Sequence, residues 1–291
     1  MARISYVNGS FLPHQQAVIP IEDRGFQFAD AVYEVVPFFN RTLMDFDPHF
    51  TRLGRSLSEL SIKNPLTLEN GRKIFQKMIE LNEISEGIIY LQISRGTAIR
   101  NHAFPDPEVV PNVVATVKAL DIDQIRERMQ NGVGVILVPE NRWRQVDIKS
   151  TSLLGNVLAK QAANQAGCYE AVFVDPAAMI TEGTSSNAWI FTPDGILKTR
   201  RANGAILSGI TRGSVLHGLE GGPVKFEETA FSRLEAETAE EFFLTSTTSL
   251  VMPVVRLDGT NVGNGKVGPI TRALQENYSL YVEKQTGFKL F

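Results

Sequence analysis

Asp147-Ile148-Lys149-Ser150-Thr151-Ser152-Leu153-Leu154-Gly155-Asn156 is the stretch on which the fold turns. It follows an apolar run, Gly132–Pro139, that reads as a buried strand, and leads into a helical pattern over Val157–Ala166. A lysine between two apolar elements is partly desolvated, and desolvation favours the neutral amine that attacks carbonyl compounds. Taken alone, the stretch reads more readily as a surface lysine in a strand-to-helix connection. A second stretch shifts the balance. Ile180-Thr181-Glu182-Gly183-Thr184-Ser185-Ser186-Asn187 sets a carboxylate, a glycine and several small hydroxyl residues between two apolar runs.

The surrounding chain has 291 residues, 43% hydrophobic and 21% charged, with a formal net charge of −3. That is a globular composition with length enough for two domains. Its mild acidity offers no electrostatic case for nucleic acid or an anionic membrane. The single cysteine, Cys168, allows no intrachain disulfide and suits a reducing compartment. The opening residues lack the apolar core of a signal peptide, and no apolar run reaches bilayer-spanning length. The expectation is a cytoplasmic protein without membrane contact.

Residues 3–12 read as two strands around Asn8-Gly9, a dipeptide suited to a type I′ hairpin turn. Further strands are expected at Ala31–Phe39 and Thr42–Phe46, turning at Asn40-Arg41. Asp47-Pro48 opens a helix over His49–Ser61, and a second helix covers Leu68–Leu81. Gly87–Gly96 and Asn112–Lys118 read as strands flanking a polar segment, Thr97–Pro111. The pattern predicts an α+β fold of two domains: a small one over 1–118, a linker at 119–124, and a larger, strand-rich one over 125–291. In the second domain, strands near 132–139, 169–175, 187–192, 195–199, 224–228, 241–245 and 251–257 alternate with helices near 153–166, 211–219, 232–238 and 268–285.

Several groups suit an anionic ligand. Ser208-Gly209-Ile210-Thr211-Arg212 is a glycine turn entering a helix, where free amides favour a phosphate. Ser246-Thr247-Thr248 is a second hydroxyl-rich turn at a strand end, and Arg52 adds a charge from the first domain. Each alone is a common surface feature. In Arg95-Gly96-Thr97-Ala98-Ile99-Arg100-Asn101-His102-Ala103-Phe104-Pro105, Arg100 and His102 lie two apart and point one way if the segment is extended. A guanidinium fork and an imidazole together grip a carboxylate well. Gly263-Asn264-Gly265-Lys266-Val267-Gly268 matches the dinucleotide fingerprint literally, but it follows a turn and too little chain remains for a βαβ unit. The four histidines, His14, His49, His102 and His217, are scattered, so a metal site is not expected.

Together, the Lys149 and Glu182 stretches resemble the fold type IV pyridoxal-phosphate enzymes, the D-amino acid and branched-chain aminotransferase family, over essentially the whole chain. The resemblance implies pyridoxal 5′-phosphate as cofactor. Lys149 would join the cofactor's aldehyde and carry the proton to and from the substrate α-carbon. Glu182 would face the pyridine nitrogen. Arg52, Ile210, Thr211, Ser246 and Thr247 would hold the phosphate, Leu207 would pack on the ring, and Arg142 would lie near the phenolic oxygen. Arg-Gly-Thr…Arg-Asn-His resembles the carboxylate trap of the D-amino acid branch, with Arg100 and His102 completed by Tyr33. Some relatives carry a tyrosine where this chain has Leu154, a departure that points away from the branched-chain group. The family further implies D-amino acid and 2-oxo acid substrates (D-alanine, D-glutamate, pyruvate, 2-oxoglutarate) and a homodimer with sites at its interface. Other fold type IV activities, or a non-catalytic cofactor-binding protein, remain the alternatives.

Overall fold

The computed structural model describes residues 3–291. The chain forms two compact units: Met1–Leu120 with Ile148–Ser152 and Gln285–Phe288, and Asp121–Asp147 with Leu153–Lys284 and Lys289–Phe291.

In the first unit, β1 (Ile4–Val7), β2 (Ser10–Pro13), α1 (Arg24–Phe28), β3 (Ala31–Phe39), β4 (Thr42–Leu43), α2 (Phe46–Glu59), α3 (Leu68–Asn82), β5 (Gly87–Ser94) and β6 (Asn112–Ala119) follow in order. The strands form a six-stranded antiparallel sheet in the order β2-β1-β6-β5-β3-β4. Both short hairpins close through paired left-handed residues. Asn8 and Gly9 have φ of 46° and 97°, Asn40 and Arg41 of 47° and 59°, as a type I′ turn requires. Helices α2 and α3 cover the sheet through Phe46, Phe50 and Phe75, whose rings pack edge-on or tilted within 6 Å of one another.

The second unit contains α4 (Ile122–Asn131), β7 (Val133–Pro139), α5 (Leu154–Gln165), β8 (Glu170–Val174), β9 (Ile180–Gly183), β10 (Asn187–Phe191), β11 (Ile196–Thr199), α6 (Ile210–Leu219), β12 (Lys225–Glu228), α7 (Arg233–Glu237), β13 (Glu241–Ser246), β14 (Leu250–Leu257), β15 (Thr260–Asn261) and α8 (Pro269–Thr286), whose last two residues belong to the first unit. Its nine-stranded sheet runs β12-β11-β10-β13-β14-β7-β8-β9, with β15 on β14. A further pairing of β9 with β10, at Glu182 opposite Asn187, curls six of these strands into a closed ring. Trp189 on β10 and Phe243 on β13 stack at 5.4 Å, both fully buried.

The expected elements are largely present, with informative differences. The strand expected at Thr42–Phe46 stops at Leu43, because Asp45 adopts a left-handed φ of 51° and α2 already begins at Phe46. Helix α5, at Leu154–Gln165, fits the helix expected near 153–166 and begins three residues ahead of the apolar pattern at Val157. The chain first changes unit after Leu120, within the 119–124 segment, and two later segments return to the first unit. The Lys149 segment lies along β3 in the first unit, through a bridge from Val32 to Ser150 and through Thr151 N–H donating to the Ala31 carbonyl at 3.0 Å. The segment Gln285–Phe288 returns to the first unit, where Phe288 stacks on Phe39 at 5.3 Å. Strand β9 was not expected at all: Ile-Thr-Glu-Gly contains one apolar side chain and reads as a turn.

Candidate functional site

In the first unit, the half-buried Lys149 is held by its main chain. Its N–H donates to Ser56 Oγ on α2 at 3.2 Å, and its carbonyl accepts from Tyr33 N–H on β3 at 2.9 Å. This seat brings Nζ to 4.3 Å from the centroid of the Tyr33 ring, itself stacked on Tyr90. Tyr33 and Glu34 are neighbours on β3, so their side chains leave opposite faces of the sheet.

Glu34 is fully buried and ties down Arg52. Its Oε1 accepts from Arg52 Nε, and its Oε2 from Arg52 Nη2, both at 2.8 Å, while His49 Nδ1 lies 2.7 Å from Oε2. Burial works to raise the Glu34 pKa, but the Arg52 guanidinium and the His49 contact override it and hold the carboxyl at about 2. The same burial pushes the His49 imidazole down against the pull of Glu34. Arg52 therefore cannot swing freely: it is a charge fixed in orientation by a bidentate fork.

Arg100 and His102 sit on the exposed segment between β5 and β6, and both approach one ring. Arg100 Cζ is 5.0 Å from the Phe28 centroid and the His102 ring 5.3 Å. The pairing expected from their spacing is realised on a bend rather than an extended strand.

In the second unit, the closing strand β9 buries Glu182 and surrounds it with donors. Oε1 accepts from Arg142 Nη1 at 2.6 Å; Oε2 accepts from Asn187 Nδ2 and from the Leu207 main-chain N–H, each at 3.0 Å. Asn187 also donates to the Leu207 carbonyl at 2.9 Å, linking the carboxylate to the segment that precedes α6. Arg142 is a bridge between carboxylates. Beyond Glu182 it donates to Glu140 Oε1 through Nε at 2.9 Å and to Oε2 through Nη2 at 2.6 Å. Burial acts to raise the Glu140 pKa, and Arg142 outweighs it, leaving that carboxyl below its usual value.

Gly209 precedes α6 because a Cβ there would stand 2.0 Å from Asn187 Oδ1. No side chain caps the N-terminus of α6, whose first residues are Ile210 and Thr211. Helix α6 packs on β13, which ends at Ser246 and continues into Thr247 and Thr248. The second unit thus carries two features suited to an aromatic phosphate: donors, in uncapped helix amides and hydroxyls, and an acceptor, in a buried and oriented carboxylate. Ser186 Oγ, buried beside Gly183, has no hydrogen-bond partner. These residues fit pyridoxal phosphate chemistry.

Several residues in these arrangements have no site role assigned from the sequence: Glu34, Glu140 and, beyond their place in quoted motifs or the histidine count, His49 and Asn187. A glutamate inside the apolar run Ala31–Phe39 was the available signal, since a charge in a buried strand demands a buried partner. Among the described residues, no three His, Cys, Asp or Glu side chains converge as metal ligands, and no helix is long and apolar enough to cross a membrane.

Comparison with solved structures places this architecture in a known fold. The branched-chain amino acid aminotransferase from Escherichia coli superposes with a TM-score of 0.87 over 99% of this chain and 95% of its own, at 20% identity. A hypothetical aminotransferase from Mycobacterium tuberculosis, in its PLP-bound form, does so with a TM-score of 0.82 over 97% of this chain and 99% of its own, at 18% identity. Residues 31–257 match the family described as amino-transferase class IV. In sequence, the chain is 38% identical to the D-alanine aminotransferase of Staphylococcus aureus (strain MSSA476) over 281 residues, 97% of this chain and 98% of that protein. The chain belongs to the class IV aminotransferases.

Proposed function

We propose that this aminotransferase moves the amino group of a D-amino acid to a 2-oxo acid with pyridoxal 5′-phosphate as cofactor, D-alanine, D-glutamate, pyruvate and 2-oxoglutarate being the substrates of choice. The near-full-length identity to a D-alanine aminotransferase carries the reading. When bound, the cofactor supplies an electron sink for the pair left by α-proton removal. The chain's own residues do the rest.

Lys149 provides the amine that anchors the cofactor and then moves the proton at the substrate α-carbon. Its main-chain bonds to Ser56 and Tyr33 fix the base of the side chain, so only Nζ needs to travel. Glu182 keeps the proton on the pyridine nitrogen, and the bonds from Arg142, Asn187 and Leu207 hold its two oxygens in one orientation. In this geometry Arg142 is more readily an orienting partner of Glu182 than a ligand of the phenolic oxygen. The phosphate is the charge for Arg52, the α6 amides at Ile210 and Thr211, and the hydroxyls of Ser246 and Thr247. Leu207 packs on the ring. Tyr33, Arg100 and His102 bind the substrate carboxylate.

Two copies assemble with sites at the interface, Arg100 and His102 serving the neighbouring copy. The exposed apolar side chains Ile21, Phe26, Ile99, Phe104 and Val110 support such a contact. The lone thiol Cys168 suits a cytoplasmic setting.

The test is the visible absorbance of the holoenzyme, recorded before and after D-alanine and, separately, L-leucine. Bleaching by D-alanine alone is expected. Bleaching by L-leucine alone would transfer the chain to branched-chain L-amino acids, and absence of any visible band after adding pyridoxal phosphate would remove Lys149 from its role.

A further inference from the structure

Arg24 is an unusual residue to bury. It begins a five-residue helix yet is only 3% exposed, and every arm of its guanidinium is engaged. Nε donates to Asp30 Oδ2 at 2.8 Å, Nη1 to the Asn101 carbonyl at 2.6 Å, and Nη2 to the His102 carbonyl at 3.4 Å. Those carbonyls belong to the two residues that follow Arg100. The guanidinium also lies 4.9 Å from the Phe28 centroid, the ring that Arg100 and His102 approach.

Asp30 holds this guanidinium in place. It is shared with Arg95, whose Nε and Nη2 reach its two oxygens at 2.7 and 3.0 Å. Arg95 in turn donates to the Leu60 and Ser61 carbonyls and stacks on Phe104, 3.6 Å from its centroid. Around these side chains the main chain adds Arg24 N–H to the Gly96 carbonyl at 2.9 Å and Arg95 N–H to the Asp30 carbonyl at 3.0 Å. The segment that carries Arg100 and His102 is exposed at its surface but bolted beneath. An exposed loop of this length otherwise samples many conformations.

We propose that Arg24 and Phe28 form a seat that positions Arg100 and His102, so that Arg24 governs affinity for carboxylate substrates without touching them. Arg24 fixes the main chain through two carbonyls, and the Phe28 ring lies within 5.3 Å of both side chains. Arg24 is a positioning residue, and the proposal rests on Arg100 and His102 being the carboxylate ligands. A planar fork reaches two carbonyls and a carboxylate at once, which an ammonium cannot.

The experiment measures kcat and KM for D-alanine on the holoenzyme with Arg24→Met, Arg24→Lys, Phe28→Leu, Arg100→Ala and the Arg24→Met/Arg100→Ala double variant. Arg24→Met is expected to raise KM about tenfold with kcat within about twofold, a binding loss rather than a chemical one. Arg24→Lys should restore part of the affinity. In the double variant, adding Arg24→Met to Arg100→Ala should cost little more, because both act through one contact. A KM unmoved in Arg24→Met, or effects that multiply in the double variant, would overturn the proposal and assign Arg24 to structure alone. If Arg24→Met does not fold, Phe28→Leu decides by the same KM–kcat split. Should Arg100→Ala itself leave KM unmoved, the carboxylate role of Arg100 falls, and the seat with it.

Discussion

Glu182, in its proposed role at the pyridine nitrogen, depends on groups that never reach the reacting atoms. Its two oxygens are oriented by Arg142, Asn187 and a main-chain amide, and Arg142 is oriented by Glu140. Removing the cation leaves the buried Glu182 and the half-buried Glu140 without their shared counter-charge. Arg142→Met is therefore expected to cost about 3 kcal/mol of stability, since breaking a buried pair strands the remaining charge. Per folded molecule, kcat should also fall by about tenfold or more as Glu182 loses its alignment. Urea midpoints and single-turnover rates measure the two effects separately. A variant that lost stability but kept its rate would show that Arg142 serves the fold only.

At the scale of elements, some packing contacts leave no room for a single added methyl group. In the first unit, α3 passes over α2 where Gly71 faces the Phe50 ring. A Cβ at Gly71 would stand 2.0 Å from Phe50 Cζ. Gly71→Ala removes a helix-weakening glycine, worth about 1 kcal/mol in a free helix, but forces the Phe50 ring out of its cluster with Phe46 and Phe75. Overpacking of this kind costs about 1–3 kcal/mol, so the net effect should be destabilising, with KM for D-alanine unchanged. A thermal midpoint equal to or above the parent's would show that the ring relocates without strain. In the second unit the critical element is β9, whose pairing with both β8 and β10 closes the ring of strands and delivers Glu182 beside Asn187.

For the whole molecule, the buried Glu34–His49–Arg52 group makes stability depend on pH in a defined direction. Glu34 has a folded pKa of about 2 against a usual 4.5, so its contribution is complete above 4.5 and is lost as pH falls toward 2. His49 has a folded pKa below its usual 6.5. The unfolded chain thus takes up its proton first, and stability also declines as pH falls through 6.5. The denaturant midpoint should be level above about pH 7, decline below 6.5, and drop more steeply below 4.5. In Glu34→Gln the step below 4.5 should shrink; an unaltered acid limb would place the sensitivity elsewhere, Glu140 being the next candidate.

The sequence by itself determined most of the element order, the two hairpin turns, the family and the residue types suited to its cofactor. Local signals sufficed there. Asn8-Gly9 tolerates left-handed backbone, apolar periodicity marks strands and helices, and Lys149 and Glu182 stand in recognisable surroundings. Tertiary structure alone decided which unit receives Lys149, because that depends on main-chain bonds to Ser56 and Tyr33 from distant elements. It also decided that β9 is a strand, since Ile180–Gly183 has little strand character until β8 and β10 supply partners on both sides. The partners of the orienting groups Glu34, Glu140 and Arg24 were likewise beyond the sequence, although a glutamate within the apolar run Ala31–Phe39 marked Glu34 itself. A charged side chain acquires its partner only when burial removes water as the competitor, and no local pattern records which distant residue will take water's place.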